Sequence, residues 1–249
     1  MKNQKDNFSD RSELYAKYRP TYPPELYSFL ISNVNRRERA WDCGTGNGQV
    51  ARELSKYFDK VYATDISEQQ IKNAVQKENI FYSVEPAENT SFTDNSFDLV
   101  TVAQAIHWFD FDAFYSEVKR TTRPNGVLAI IGYGLIRIDE ETDKIIDHFY
   151  YHIIGNYWDN ERKYIDENYQ TIPFPFNEIK APILRNNFEW TLEELLGYLE
   201  TWSAVQHYKK ANDQNPVSLV EKEFQKIWAA GLTRKVQFPI LLRVARVEK

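Results

Sequence analysis

The chain has 249 residues, which is enough for one large α/β domain or for two small domains. Its formal net charge is −5, with 36 acidic residues against 31 basic residues, and the basic residues form no run. This balance disfavours nucleic acid as a partner, because phosphate backbones are bound by clustered positive charge. No stretch approaches the roughly 18 consecutive apolar residues of a membrane span, so the sequence predicts no membrane partner.

The N-terminus and the cysteine content bear on the cellular compartment. The first residues are polar and lead into no apolar stretch resembling a signal peptide. Cys43 is the one cysteine of the sequence and cannot form a disulfide within the chain, so we interpret it as a small buried side chain. These features predict a soluble, cytoplasmic protein and leave both a monomer and a homodimer open.

The first forty residues predict an extended arm followed by a helix. Tyr18-Arg19-Pro20 and the prolines after it favour extended backbone, because proline disfavours helix in the residue before it. Leu26, Phe29 and Leu30 then recur at the spacing of one helix face. This spacing predicts a helix over residues 25–33.

From residue 39 to residue 133, short apolar runs alternate with amphipathic stretches, as is typical of βαβ units. The predicted strands are Arg39–Cys43, Lys60–Asp65, Ile80–Glu85, Phe97–Ala103 and Val127–Tyr133. The predicted helices are Gln49–Phe58, Glu68–Lys77 and Asp112–Thr122. A turn over residues 123–126, with the sequence Arg-Pro-Asn-Gly, is predicted to end the last helix. The sequence therefore predicts a doubly wound, mostly parallel α/β sheet.

After Gly134 the regular alternation stops, which predicts a cap inserted into the fold. Aromatic residues are dense from Phe149 to Tyr169, where they either pack between the cap and the core or line a binding pocket. Helical spacing returns over Thr191–Tyr208, and Thr191 with Glu194 has the pattern of a capping box.

The C-terminal part of the sequence predicts one more helix and a pair of strands. Pro216 suits the first turn of a helix over Pro216–Ala230. The runs Leu232–Phe238 and Ile240–Val247 are rich in β-branched and apolar residues and are separated by Pro239. They could form a hairpin or one bent strand; we predict two edge strands, because proline cannot donate a hydrogen bond inside a sheet.

The most informative segment is WDCGTGNGQV at residues 41–50, which follows a predicted strand and opens a helix. Glycines at 44, 46 and 48 allow a tight turn and close approach of a ligand, and the following helix offers N–H groups to an anion. A dinucleotide fingerprint requires glycine at position 49, which is Gln49 here. The spacing therefore favours a cofactor other than NAD.

Asp65 ends the second predicted strand, 21 residues after Gly44. The carboxyl ends of parallel strands meet at one edge of the sheet, where ligands of such folds bind. A carboxylate at this edge can accept hydrogen bonds from both hydroxyls of a ribose. The alternative is that Asp65 only caps the helix that follows it.

These motifs resemble the class I methyltransferases, specifically the type 11 group. Residues 42–48 resemble the first motif of that family, Asp-x-Gly-x-Gly-x-Gly, and Asp65 resembles its ribose-binding acid. Residues 87–88, followed by residues 96–100, are similar to the family's stretch around the adenine and its fourth strand. Residues 104–109 are similar to the segment that follows this strand, near the transferred methyl group. Residues 18–20, 190–192, 198–205 and 236–246 resemble a bacterial branch related to trans-aconitate methyltransferases.

The resemblance implies a seven-stranded sheet with a C-terminal antiparallel strand pair, S-adenosylmethionine as cofactor, and direct displacement by a small-molecule acceptor such as a carboxylate or hydroxyl. It implies one domain over 1–249: an arm and helix at 1–38, a cofactor-binding core at 39–134, a cap at 135–215 and a closing helix with strands at 216–249. The cofactor-binding residues that it implies are Tyr18, Arg19, Asp42, Gly44, Thr45, Gly46, Gly48, Asp65, Ile66, Ala87, Glu88 and Gln104.

His107 and Arg19 are the charged candidates for the chemistry. His107 follows the fourth strand and is the predicted general base, because the pKa of histidine lies near neutrality. If the acceptor is a carboxylate, no base is needed and His107 only shapes the pocket. Arg19 either pairs with the methionyl carboxylate or an acidic acceptor, or only steadies the arm.

Three other readings stay open at this point. His148 and His152 have a spacing compatible with a metal ion, but the sequence offers no third ligand of the usual pattern, so we predict no metal site. A protein that senses the cofactor without transferring the methyl group would share every cofactor motif. A nicotinamide-dependent oxidoreductase would share the fold and is disfavoured by Gln49.

Overall fold

The computed structural model describes residues 18–249. Its strands are β1 (Arg39–Cys43), β2 (Lys60–Asp65), β3 (Ile80–Val84), β4 (Phe97–Ala103), β5 (Thr122–Tyr133), β6 (Asn177–Ile179), β7 (Arg185–Thr191) and β8 (Thr233–Arg246). Its α-helices are α1 (Pro24–Ser32), α2 (Gln49–Leu54), α3 (Glu68–Lys72), α4 (Phe111–Thr121), α5 (Glu140–Asp147), α6 (Lys163–Asp166), α7 (Leu192–Glu200), α8 (Ser203–Asn212) and α9 (Val217–Ile227). None of these helices is long and apolar enough to cross a membrane.

The strands form one mixed sheet in the order β3-β2-β1-β4-β5-β8-β6, and β7 pairs with β8 outside this path. The first five strands of the chain are parallel, whereas β8 is antiparallel to β5, β6 and β7. The predicted fold class is thus confirmed, with eight strands in the described residues where the resemblance implies seven. The strand order reverses between β1 and β4, which is where α/β sheets of this type open a crevice.

Alternating side chains of the central strands enter two separate hydrophobic clusters, one on each face of the sheet. In β1, Ala40 belongs to one cluster and Trp41 to the other. In β5, Ala129 and Leu128 are divided in the same way. Both faces of the sheet are therefore covered, as expected for buried parallel strands, and only its edges and strand ends are left to bind ligands.

The last strand differs from the prediction. The structure has one continuous strand, β8, in place of two edge strands separated by Pro239. The residues before Pro239 pair with β7, and those after it pair with β5. Pro239 lies where β8 changes partners, and its carbonyl accepts a hydrogen bond from the Gly134 N–H at 2.9 Å. The missing N–H of proline is tolerated at this change of partners, so the strand bends there without ending.

Other predicted boundaries are wrong as well, since α2 and α3 end at Leu54 and Lys72 and not at Phe58 and Lys77. The turn predicted over 123–126 lies within β5 as an irregularity, where the pairing register with β4 shifts and Asn125 has a φ of 64°. The helix predicted over Thr191–Tyr208 is two helices, α7 and α8. Its capping box of Thr191 and Glu194 is confirmed, but the Thr201 hydroxyl donates to the Tyr198 carbonyl at 2.7 Å and the backbone of the next residue is extended.

Candidate active site

The glycine segment after β1 makes a sharp corner before α2. Gly44, Gly46 and Gly48 have φ values of 64°, 55° and 81°, which side chains with a Cβ atom rarely adopt. A Cβ atom at Gly44 would lie 2.6 Å from Cβ of Ala105, and one at Gly48 would lie 2.3 Å from Oη of Tyr82. The corner therefore needs glycine both for its backbone angles and for its close packing against the segments after β4 and in β3.

Asp42 ties this corner to the sheet. Its Oδ2 atom accepts hydrogen bonds from the Thr45 hydroxyl at 2.5 Å and from the Ala51 N–H at 3.1 Å, and its Oδ1 atom accepts one from the Thr101 hydroxyl at 2.8 Å. Burial raises the pKa of Asp42 to about 6, although the hydrogen bonds from Thr45, Thr101 and Ala51 act to lower it. Asp42 thus caps α2 and fixes the corner, which leaves little of its carboxylate for a ligand.

Asp65 lies beside the corner. Its Oδ2 atom accepts a hydrogen bond from the Gly46 N–H at 2.8 Å, and its Oδ1 atom accepts one from the Ser67 N–H at 2.9 Å. Ser67 itself is the N-cap of α3, since its hydroxyl accepts a hydrogen bond from the Gln70 N–H. A carboxylate oxygen has a second lone pair, so Asp65 can hold the loop and still accept from a ligand hydroxyl.

The backbone amides of the corner are less available than the sequence predicts. The N–H groups of Thr45, Gly46 and Gly48 donate to Thr64, Asp65 and Thr45 respectively. The Ala51 N–H, in the first turn of α2, is taken by Asp42. Because these donors are satisfied within the protein, an anionic group of a ligand needs another partner in addition to this helix end.

A cavity of about 370 Å³ opens at the carboxyl ends of β1, β2 and β4. This volume lies within the usual range for small-molecule sites. Nine of the predicted cofactor residues line it: Arg19, Asp42, Gly44, Thr45, Gly46, Asp65, Ile66, Ala87 and Gln104. The structure therefore brings most of the predicted cofactor residues to one cavity, although their roles remain predictions.

Three predicted cofactor residues lie outside the lining. Tyr18 packs its ring against Gly197 of α7, where an added Cβ atom would be 2.5 Å from that ring. Gly48 is the N-cap of α2 and faces Tyr82. Glu88 accepts a hydrogen bond from the Asp110 N–H at 3.1 Å at the start of α4. These positions support the cavity wall, and direct cofactor contact by them stays a prediction.

His107 does not line the cavity. It lies in a 3-10 turn over Ile106–Trp108, is 5% exposed, and stacks on Tyr169 from the cap with ring centroids 6.2 Å apart. Burial, together with the positive charges of Arg162 and Arg19, lowers the pKa of His107 to about 3. A general base needs a proton affinity matched to neutral pH. The geometry thus gives no support to the predicted general base.

Two further lining residues of the cavity are Gln104, which has a positive φ, and Arg19, which bridges two parts of the fold. Gln104, just after β4, has a φ of 53°, and its side-chain amide donates to the Tyr133 carbonyl at 3.1 Å. Arg19 donates to the Tyr133 hydroxyl at 2.9 Å and to the Thr201 carbonyl at 3.1 Å. Arg19 therefore links β5 to the junction of α7 and α8 while also lining the cavity.

No sequence pattern indicated two acidic residues of the cap that line the cavity, Asp159 and Glu161. They belong to a short turn at Asn160–Arg162 and its N-cap, which packs against the turn at Ile106–Trp108. Other lining residues could have been inferred from the recognised motifs, since Asn47 lies within the glycine motif and Gln70 lies five residues after Asp65. The cap turn reaches the cavity only through tertiary packing, which no local pattern predicts.

The aromatic residues of the cap serve as packing. Seven were candidates for a binding pocket, and none of them lines the cavity: Phe149, Tyr150, Tyr151, Tyr157, Trp158, Tyr164 and Tyr169. Tyr150 contacts Trp158 and Trp202 at centroid distances of 4.8 and 5.5 Å. His148 and His152 have rings 5.5 Å apart, and within residues 18–249 no group of three or more His, Cys, Asp or Glu side chains could hold a metal ion.

The sheet order and the glycine corner with its neighbouring aspartate define a nucleoside-binding α/β enzyme, and comparison with known proteins identifies its class. Residues 41–130 match a family model described as a methyltransferase domain. A Dictyostelium discoideum protein named as a methyltransferase is 36% identical over 251 aligned residues, which cover 98% of this chain and 95% of that protein. The chain belongs to the class I S-adenosylmethionine-dependent methyltransferases.

Solved structures agree with this assignment. A structure described as a type II methyltransferase from Anaeromyxobacter dehalogenans has a TM-score of 0.87 and 37% identity, covering 93% of this chain and 99% of that chain. A Haemonchus contortus phosphoethanolamine N-methyltransferase, in complex with phosphomonomethylethanolamine and S-adenosylhomocysteine, has a TM-score of 0.50 and 18% identity, covering 97% of this chain and 58% of that chain. The second likeness concerns the fold alone. The placement beside trans-aconitate methyltransferases stays a prediction.

Proposed function

We propose that this protein uses S-adenosylmethionine to methylate a carboxylate or hydroxyl oxygen of a small molecule. The observation that carries the proposal is the cavity at the carboxyl ends of β1, β2 and β4, which has the glycine corner and Asp65 on its wall. Asp65, at the end of β2 beside the corner, is placed to accept hydrogen bonds from ribose hydroxyls of a nucleoside in this cavity. Ile66 and Ala87, which follow β2 and β3, provide apolar surface for a base on the same side.

When bound, S-adenosylmethionine supplies a methyl group on a positively charged sulfur, and the acceptor oxygen displaces S-adenosylhomocysteine from that carbon. The protein then has to hold the two reactants in line and exclude water. The cap turn with Asp159 and Glu161 covers the side of the cavity above β4, and Arg19 closes the side above β5. These groups bind and orient, and none has to form a covalent bond.

A carboxylate acceptor suits this cavity best among oxygen nucleophiles. All four histidines lie within the described residues, and none of them lines the cavity. His107, the nearest in sequence to the motifs, has a pKa of about 3 because of its burial. A carboxylate is already ionised at neutral pH and needs no base, whereas a hydroxyl acceptor would need a carboxylate such as Glu161 to take its proton.

Two measurements test the proposal. S-adenosylmethionine and S-adenosylhomocysteine should each raise the melting temperature, because a ligand that binds only the native state stabilises it. Methyl transfer from radiolabelled S-adenosylmethionine should then be measured on a panel of small carboxylic acids, phenols and amines. We expect turnover on acids or phenols. Tight cofactor binding with turnover on amines alone would contradict the proposed acceptor, and absence of any cofactor binding would contradict the whole proposal.

A further inference from the structure

Asp159 of the cap is a largely buried acid with an unsatisfied carboxylate oxygen. Its side chain is 12% exposed, and its Oδ2 atom is sealed from solvent with no hydrogen-bond partner among residues 18–249. Among residues 18–249, the basic side chain within 4 Å of Oδ2 is His207, whose Nδ1 atom lies at 3.9 Å and is 2.9 Å from the Tyr157 carbonyl. Asp159 also makes no side-chain cap of the turn that follows it. A buried carboxylate left in this state is unfavourable unless a ligand satisfies it.

The position of Asp159 within the cavity can be traced through contacts. Gly44 of the corner lies against Ala105, the N-cap of the turn at Ile106–Trp108. That turn packs against the turn at Asn160–Arg162, which Asp159 precedes. Asp159 therefore stands above the ends of β1 and β4, on the opposite side of the corner from Asp65 at the end of β2.

This placement corresponds to the amino-acid end of the cofactor that we propose. If the ribose lies at Asp65 and the base extends toward β3, the methionyl tail extends toward β4. The tail carries an ammonium and a carboxylate on the same carbon. The cavity offers a carboxylate and a guanidinium at that end, in Asp159 and Arg19. Arg19 donates to the Thr201 carbonyl at the junction of α7 and α8, and Asp159 lies beside His207 of α8.

We propose that Asp159 binds the ammonium group of the methionyl tail, an inference that rests on the proposed function. An ammonium group in the cavity can donate hydrogen bonds to the Asp159 carboxylate once that side chain turns its Oδ2 atom toward the cavity, whereas the sulfonium has no N–H to donate. The carboxylate acceptor that we propose would be repelled by Asp159, so Asp159 is not the group that binds it. The tail ammonium is thus the cationic donor that this carboxylate is placed to receive.

The test compares three ligands in calorimetry. S-adenosylmethionine and S-adenosylhomocysteine contain the amino-acid tail, and 5′-methylthioadenosine lacks it. For Asp159→Asn and Asp159→Ala we expect the affinity for both tailed ligands to fall about tenfold or more, with 5′-methylthioadenosine bound within about twofold of the wild type. Because the Asp159 side chain accepts no hydrogen bond in the described structure, the variants should fold. Glu193→Gln, a charge-matched change of an exposed acid on α7, should alter none of the three affinities.

Each other outcome overturns the inference. Unchanged affinity for S-adenosylhomocysteine in both Asp159 variants would exclude the ammonium contact. A loss restricted to S-adenosylmethionine would assign Asp159 to the sulfonium, and an equal loss for 5′-methylthioadenosine would indicate general damage to the site. If only the acceptor KM rises, Asp159 binds the acceptor. A wild-type protein that binds neither tailed ligand would instead contradict the proposed function.

Discussion

The Asp65 carboxylate and the Gly46 amide are joined by a hydrogen bond of 2.8 Å. This contact makes the end of β2 and the glycine corner one rigid unit, because Asp65 also accepts from the Ser67 N–H that begins α3. A ligand hydroxyl that bonds to Asp65 is therefore placed at a fixed distance from the corner. The same carboxylate has both a structural and a proposed binding role, so the two alternatives for Asp65 do not exclude each other.

Asp65→Ala should lower the affinity for S-adenosylmethionine by about 2 kcal/mol or more, because two charge-assisted hydrogen bonds to the ribose would be lost. Calorimetry measures this change directly. Asp139→Ala is the matched control, since Asp139 also accepts a backbone N–H at a helix start, that of Thr142, but does not line the cavity. The control should lose stability and keep its affinity. An unchanged affinity in Asp65→Ala would remove Asp65 from the cofactor site.

His107 should make the fold sensitive to acid. Its pKa is lowered to about 3 in the native state against 6.5 in the unfolded chain, so the unfolded chain binds the proton first. The contribution of His107 to the free energy of unfolding is fully present above about pH 6.5 and is lost as the pH falls toward 3. Between pH 7 and pH 5, this term should lower the free energy of unfolding by about 2 kcal/mol.

His107→Gln should remove that term, so the variant should lose less stability than the wild type between pH 7 and pH 5. Urea unfolding at the two pH values measures it, and His152→Gln, at an exposed histidine, should behave as the wild type. Parallel pH dependence in His107→Gln and the wild type would contradict the lowered pKa. Methyl transfer by His107→Gln at pH 7 tests the general-base prediction separately, and full turnover would exclude that role.

Asp42 should act in the opposite direction. Burial raises its native pKa to about 6 from 3.8, so the native state binds a proton more tightly than the unfolded chain does. Its stabilising contribution is present at low pH and is lost as the pH rises through about 6. Between pH 5 and pH 7, the contributions of Asp42 and His107 to the free energy of unfolding change in opposite directions. The pH dependence of the wild-type stability therefore identifies neither contribution by itself.

Asp42→Asn isolates this second term. The amide can still accept from Ala51 and can donate to the Thr101 hydroxyl, which keeps the corner closed. Relative to the wild type, the variant should gain about 1 kcal/mol of unfolding free energy when the pH is raised from 5 to 7. Urea unfolding at both values checks it. A difference between variant and wild type that does not change with pH would contradict the raised pKa of Asp42.

How far the sequence predicts this structure depends on how local the determining contacts are. The strands Arg39–Cys43, Lys60–Asp65 and Phe97–Ala103 have the predicted bounds, because a buried parallel strand is a short apolar run with clear ends. The proximity of Asp65 to the glycine corner follows from the same reasoning, since parallel strands end at one edge.

Features that depend on contacts distant in sequence were not predictable. Tyr169 of the cap covers His107, which turns a strand-end histidine from a candidate base into a buried neutral side chain. Asp159 reaches the cavity because its turn packs on the turn after β4, and nothing in its own sequence indicates this. Pro239 does not end β8, because the strand changes partners there, and this change depends on the positions of β5 and β7.

Gly48→Ala should lower the free energy of unfolding by more than the backbone strain of an alanine at positive φ, because the added Cβ atom also meets a neighbouring side chain. Gly48 and Gly231 have nearly equal φ values, 81° and 78°. A Cβ atom at Gly48 would lie 2.3 Å from Oη of Tyr82, whereas one at Gly231 would meet nothing within 4 Å. Gly231→Ala should thus lose about 1 kcal/mol from backbone strain, and Gly48→Ala should lose that amount plus about 1–3 kcal/mol from displacement of Tyr82.

Urea unfolding of the two glycine variants measures the difference, and calorimetry shows whether it reaches the cofactor. The Tyr82 hydroxyl donates to the Val75 carbonyl at 2.7 Å, and the Val75 N–H donates to the Asn47 carbonyl at 3.3 Å. Displacing the Tyr82 ring should therefore disturb the corner itself, so Gly48→Ala should also weaken S-adenosylmethionine binding while Gly231→Ala leaves it unchanged. Equal stability losses in the two variants would show that the corner absorbs the Cβ atom without moving Tyr82.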